Sequence, residues 1–507
     1  AASDVYKRQV VEWANKYLGP ESYAIIYKRE GKDPDEQKIA APKITPIVTN
    51  RDSQSEFLSE IQTSQVQPIE PVFVDYKKDM SQFEAQPGID VLYKKNETND
   101  IFTLIYVFNT GTENDPALNL AFNYLSYLGT DKMTAEEIAS EMYDIACSFY
   151  MNAGANQSSI QITGLSENMG KAMEIVEGLI AGAKPDEAIL ENLKGDMLKS
   201  RADAKLNQSR CFGALQRYLF YGGDFIRRTT LTDPALQALT SEQLLAKIGG
   251  LMGKQHEVLY YGPQKETEIK SALAEHHKVA ADLQPLEKKF SALLPTDANK
   301  VVLAQYDAKQ LYYLQFSNRG EKFDVAADPE ITLYNEYFGG GMNTIVFQEM
   351  REARGLAYSA WATLATPSNA NGDYSYYAFI ATQNDKMQKA VEAFDDIINN
   401  MPESEKAFGI AKEALVSRLR TERTVKDGVL WSYLRARDLG LDAPRDKQIF
   451  EKVQSMTLDD VKAAQQKWVK GRKYVYGILG DIQDLDLNYL KTLGPIQTVS
   501  QEEIFGY

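Results

Sequence analysis

Histidine is nearly missing from this chain: His256, His276 and His277 are the only three in 507 residues. No two stand at the i, i+4 spacing that puts two imidazoles on one helix face for zinc. His276 and His277 fall in the polar helical stretch SALAEHHKVAADL and read as solvated, and His256 precedes a strand and reads as an edge residue. Cysteine is equally scarce. Cys147 and Cys211 are isolated, which excludes a disulfide framework and a Cys-rich zinc site, and leaves both as small buried hydrophobes. These residues offer no protein-only zinc site.

Other absences narrow the field further. No apolar run approaches the ~18 residues of a membrane span. The net charge of −15 argues against nucleic acid, which requires a positive surface. No G-x-S-x-G elbow occurs, although spacing alone leaves a serine-histidine-acid triad open. Gly339–Gly341 are followed by no Gly-Lys-Ser/Thr and do not fit G-x-G-x-x-G, so a phosphate loop is disfavoured; a helix cap or close backbone approach is the plainer expectation. The start, AASDVYKRQVVEW, has neither an initiator Met nor a signal-peptide pattern. SDVYKRQ resembles a translated sequencing-adapter scar, which leads to the expectation of further chain upstream.

What is present is a duplicated globular protein. A composition of 44% hydrophobic and 25% charged residues supports sizeable cores, and the length calls for two or more domains. SENMGKAMEIVEGLI (166–180) matches NDKMQKAVEAFDDII (384–398), with Met169 against Met387, Lys171 against Lys389, Glu174 against Glu392 and Ile180 against Ile398. EVLYYGP (257–263) faces VYGILGD (475–481), LTSEQLL (239–245) faces MTLDDVK (456–462), and DPALNLAFNYL (115–125) faces DPEITLYNEYF (328–338). Four ordered matches at nearly one offset define a repeat of about 215 residues. A partial copy, VVEWANKYLGPESYAIIY (10–27), resembles VKAAQQKWVKGRKYVYGI (461–478) near the end of a repeat.

The expected organisation is a tail of a preceding domain at 1–31, a linker at 32–72, a first full repeat at 73–290 and a second at 291–507. Pro34, Pro42, Pro46, Pro68 and Pro71 make the linker extended. Within each copy, strand-like segments such as VLYKKN and TLIYVFNTG precede a long helical section and a hairpin-like pair. In the second copy the pair is LAYSAWATLAT and DYSYYAFIAT, joined by a segment ending in Asn371-Gly372. Met387, Val391, Phe394, Ile397 and Ile398 then recur at helical spacing. The expected fold class is α+β: tandem duplicated domains, each a largely antiparallel sheet covered by helices.

Residues 338–360, FGGGMNTIVFQEMREARGLAYSA, carry the candidate chemistry. Met342 to Arg354 is helix-compatible, with Met342, Ile345, Val346, Met350 and Ala353 on the buried side. Phe347, Arg351 and Arg354 share an adjacent stripe. Gly355 suits a left-handed C-cap, and the strand that follows puts Tyr358, Ala360 and Ala362 on one face. Such a helix–strand join brings Arg351 beside Tyr358. Read in isolation, Arg351 is an ordinary surface residue and Tyr358 an ordinary half-buried aromatic.

FxxMREARGLAYSA after a Gly-rich turn, inside a duplicated domain of this size, resembles the C-terminal half of the pitrilysin/insulinase family of zinc metallopeptidases. The resemblance covers nearly the whole chain. It implies a clamshell half that encloses a peptide or small protein, together with an N-terminal half, on this chain or a separate subunit, whose H-x-x-E-H motif binds the zinc. It also implies that Arg351 and Tyr358 bind substrate carbonyls and stabilise the oxyanion, with Phe347 lining the groove. The first full repeat departs from the metal-binding pattern: Leu120, Asn123 and Tyr124 stand where His, Glu and His would, so no metal ligand is assigned to this chain. Activity is therefore expected only with the zinc-binding half. The alternative is an inactive partner or structural subunit of the same family. Compartment is left open, with the bacterial envelope as the family-based expectation.

Overall fold

The computed structural model describes residues 2–27, 31, 55–65 and 67–507. Ala1–Pro68 and Ile69–Tyr507 are separate compact units. In the first, helices span Ala2–Tyr17 and Glu56–Thr63. Most of the proline-rich segment, including Pro34, Pro42 and Pro46, lies outside the described residues.

The second unit holds two six-stranded sheets. The first contains β1 (Ser81–Gln86), β2 (Ile89–Lys95), β3 (Ile101–Phe108), β4 (Cys147–Ala153), β5 (Ser158–Leu165) and β6 (His256–Gly262). Its order is β1-β2-β6-β3-β5-β4. The second contains β7 (Lys300–Gln305), β8 (Gln310–Lys322), β9 (Ser359–Ala365), β10 (Asp373–Gln383), β11 (Val475–Gly480) and β12 (Ile496–Val499), in the order β12-β7-β11-β8-β10-β9. Five strands follow the same path in both sheets. The sixth differs: β1 joins β2 antiparallel, whereas β12 joins β7 parallel.

The α+β class holds, with one refinement to the antiparallel expectation. β2 pairs β6 in parallel, and β7 pairs β11 in parallel. A short turn can join only antiparallel neighbours. Here each parallel pair is separated in sequence by three other strands and most of the helices of its copy, and that long crossover permits the parallel pairing. The strand-like VLYKKN and TLIYVFNTG become β2 and β3, and the expected hairpin becomes β9–β10.

Each sheet buries one face under helices of its own copy. The helix Met387–Asn399 buries Met387, Val391, Phe394, Ile397 and Ile398, as its periodicity predicts. The helix Met169–Gly182 does the same for the first sheet. The opposite faces are covered by exchange. Cys211, Leu215 and Leu219 of helix Gln208–Thr229 pack on Val302, Leu314, Phe316 and Leu479 of the second sheet. In return, Val429, Leu430 and Leu434 of helix Gly428–Asp438 pack on Leu92, Ile105 and Leu259 of the first. Gly477 in β11 makes one of these contacts possible, because a Cβ there would stand 2.3 Å from Leu219 Cδ1. Arg437 locks the return helix by donating two hydrogen bonds to buried Glu257, at 2.5 and 2.8 Å.

Candidate active site

The stretch 338–360 forms a helix–strand join on the edge strand of the second sheet. A π-helical turn, Asn335–Gly339, ends against β9. A Cβ on Gly339 would sit 2.2 Å from the Ala362 carbonyl oxygen, so glycine is required for close backbone approach there. Residues 340–344 turn the chain, with the Thr344 hydroxyl donating to the Gly341 carbonyl at 2.7 Å.

The following helix is shorter and less regular than its sequence suggests. Ile345–Phe347 is α-helical and Gln348–Ala353 is π-helical. Ile345, Val346 and Met350 are buried as expected, but Met342 and Ala353 are exposed. Met342 lies in the turn before the helix begins and so shares none of its faces. The wider π turn rotates the later residues, carrying Ala353 off the buried side. Gly355 takes the left-handed conformation, φ +57°, that ends the helix. Leu356 and Ala357 donate their amides to the Met350 carbonyl at 2.9 and 3.3 Å, and β9 begins at Ser359.

This geometry gathers the three predicted side chains. The Arg351 guanidinium carbon lies 5.0 Å from the Phe347 ring centroid and 4.9 Å from that of Tyr358. Such cation–π contacts are worth about 0.5–1 kcal/mol each when exposed. They orient the guanidinium without consuming its N–H donors. Among the described residues, its only close carboxylate is Glu352, at 3.6 Å. Arg354, three residues on, is engaged by Glu349 at 3.4 Å and Asp396 at 3.2 Å. Hydrogen bonds from Asn400 and then Arg354 hold the Asp396 carboxyl below its usual range. Of the two arginines, Arg351 is therefore the one less engaged by carboxylates. Tyr358 is 74% exposed.

The residues at the degenerate zinc-motif position do not fit a metal. Leu120 and Tyr124 are buried and Asn123 is exposed. The Tyr124 hydroxyl accepts from the Asp186 amide at 2.7 Å and lies 2.7 Å from the buried Ser241 hydroxyl. Tyr337 repeats the arrangement in the second copy, accepting from the Ser404 amide at 3.1 Å and donating to the Pro402 carbonyl at 2.7 Å. Both tyrosines pin the start of a later helix, Glu187–Lys205 in the first copy and Glu405–Thr421 in the second. Among the described residues, no group of three or more His, Cys, Asp or Glu is arranged to hold a metal ion. No helix among them is long and apolar enough to cross a membrane.

Two histidine expectations are corrected. His256 stands in a central strand rather than at an edge, and His277 is buried rather than solvated. Their Nε2 atoms are 2.8 Å apart, and His277 Nδ1 is 2.5 Å from Glu177 Oε1. Burial, with His277 beside it, pushes the His256 pKa down to about 4. Glu177 is 100 residues from His277, so no local pattern could announce the contact.

Comparisons with known proteins agree with this picture. Residues 256–415 match the peptidase M16 inactive domain family. A Streptomyces coelicolor protein named as an uncharacterized zinc protease is 23% identical over 266 residues, covering 49% of this chain and 56% of that protein. The peptidase M16 inactive domain from Pseudomonas fluorescens superposes with a TM-score of 0.62 at 18% identity, over 79% of this chain and 98% of that one. The ferredoxin protease FusC, solved with Arabidopsis ferredoxin, gives 0.63 at 13% identity, over 94% of this chain and 50% of FusC. This chain thus spans about half the length of the Streptomyces relative and of FusC. Residues 256–415 thus resemble a peptidase M16 inactive domain, and the chain has an α+β fold like that of the Pseudomonas fluorescens domain.

Proposed function

We propose that this chain is the non-metal-binding half of a zinc-dependent endopeptidase, forming part of a peptide-enclosing chamber and presenting Arg351 and Tyr358 to the substrate. The supporting observation is the Arg351 guanidinium held between the Phe347 and Tyr358 rings beside an edge strand. Arg351 and Tyr358 donate hydrogen bonds to substrate carbonyls and to the oxygen that gains charge during acyl transfer. Donors already oriented at that oxygen favour the transition state over the ground state, typically by ~10²–10³ in rate for each donor. Phe347 lines the groove beside them.

Zinc belongs to the complementary half in this reading, since Leu120, Asn123 and Tyr124 offer no ligand set. The domain assignments 1–31, 32–72, 73–290 and 291–507 are part of the same proposal. FusC, solved with a ferredoxin, favours small proteins as well as peptides as substrates.

The test is turnover of an internally quenched peptide by this chain combined with its zinc-binding half. Arg351→Ala or Tyr358→Phe should lower kcat by about 10²–10³ while leaving unfolding midpoints unchanged. Unchanged turnover in both variants overturns the assignment. Chelator-sensitive hydrolysis by this chain alone overturns the division of labour.

A further inference from the structure

Tyr358 has to be held in place by something other than its own side chain, which projects largely into solvent. β9 and β10 pair from Ser359 opposite Ala381 onward, and Tyr358 adds one bond, its amide donating to the Ala381 carbonyl at 3.2 Å. The next residue of β10 is Thr382, only 3% exposed. Its hydroxyl donates to the Leu356 carbonyl at 2.5 Å. That bond ties the short segment between Gly355 and β9 to the sheet.

The first copy has no such bond and no room for one. Repeat alignment sets Gly164 against Thr382, and Gly164 pairs directly with Cys147 at the start of β4. A Cβ there would lie 2.4 Å from Cys147 Sγ and 2.5 Å from the Ala146 carbonyl oxygen. The helix reaches β4 without a spacer, and the Leu165 amide closes the join on the Ala146 carbonyl at 3.3 Å. The second copy instead inserts Leu356, Ala357 and Tyr358 between its left-handed residue and the strand. A buried side chain, Thr382, supplies the closing bond.

We infer that Thr382 is a positioning residue for Tyr358. It acts through the Leu356 carbonyl to set the height and direction of the phenol beside Arg351. This rests on the proposed role of Tyr358. Losing the bond frees the segment by a fraction of an ångström to an ångström, a displacement that lowers turnover more than substrate binding.

The test compares Thr382→Val, Thr382→Ser and Tyr358→Phe in the chain combined with its zinc-binding half, using an internally quenched peptide. Thr382→Val should lower kcat about ten-fold with KM little changed, an estimate for modest misplacement of an oriented donor. Thr382→Ser should restore it. Adding Thr382→Val to Tyr358→Phe should cause no further loss. In the isolated chain, hydrogen exchange at the Leu356–Tyr358 amides should quicken in Thr382→Val and not in Thr382→Ser. Full turnover in Tyr358→Phe removes the underlying reading and this one with it. An impaired Tyr358→Phe with an unimpaired Thr382→Val, or additive losses in the double variant, overturns the positioning role alone.

Discussion

The two copies solve the same helix-to-strand problem differently. In the first, a regular α-helix, Ala135–Asp144, is opened by a Thr134–Glu137 capping box and ends at Ala146, φ +51°, which leads straight into β4. In the second, a π-distorted helix ends at Gly355, and three extra residues precede β9. The first join is shorter and presents no arginine. The second spends regularity to present Arg351 and Tyr358. Irregular helical turns of this kind concentrate at functional sites because they re-aim side chains. The contrast teaches that one scaffold accommodates two different joins; under the proposed function, only the second meets substrate.

The largest effect should separate the two joins. Tyr358→Phe is expected to lower turnover by about 10²–10³. Phe149→Leu, in the first copy's strand, should leave turnover unchanged. A similar loss from Phe149→Leu would mean that both joins face substrate.

The exchanged helices sharpen the comparison at the level of stability. Leu215 and Leu430 are each fully buried against the sheet of the other copy. Leu215→Ala and Leu430→Ala should each cost about 2–5 kcal/mol by transfer and cavity terms. Calorimetry should show a single transition in both variants, since each helix is part of one copy and packs on the sheet of the other. Two resolved transitions would show that the copies fold independently.

The buried polar clusters differ in sign. Glu177 in the first copy corresponds to Asp395 in the second, and His256 to Tyr474. His256 is held neutral, its pKa lowered from 6.5 to about 4. As pH falls from 6.5 to 4, the unfolded chain takes a proton that the folded chain refuses, so stability falls, by about 3 kcal/mol at the limit. Burial raises the Asp395 pKa from 3.8 to about 6. Acidification from 6 toward 3.8 therefore returns stability as Asp395 protonates. Urea midpoints across this range should fall less on acidification in His256→Gln and more in Asp395→Asn. Parallel curves for both variants and the parent would refute the assignment.

The smallest effect concerns the paired tyrosines. Tyr124→Phe and Tyr337→Phe each leave a helix-start amide without its acceptor, a cost of about 1–3 kcal/mol. Tyr124→Phe should cost more, because it also strands the buried Ser241 hydroxyl. Equal costs, read from urea unfolding, would remove that distinction.

Much of this was legible in the chain. The matched segments foretold two copies with the same strand path, because residues that recur at one offset must fill equivalent places in equivalent cores. The helical spacing of Met387, Val391, Phe394, Ile397 and Ile398 named the buried face of its helix. The nearness of Arg351 to Phe347 and Tyr358 followed from helical spacing and a glycine cap. The burial of His256 and His277 was not legible, since their partners come from distant segments and polar flanks suggested solvent. Nor was the parallel pairing of β2 with β6 and of β7 with β11, or the coverage of each sheet by the other copy's helix.

By itself, then, the sequence determined the duplication and the α+β class, because periodicity and residue chemistry are local properties. Tertiary structure alone decided which arginine is engaged by two carboxylates, that Thr382 closes the Tyr358 join, and that His256 meets His277, which in turn contacts the buried Glu177. Those outcomes depend on contacts between residues tens to hundreds of positions apart, and only the packed sheet brings them within hydrogen-bonding distance.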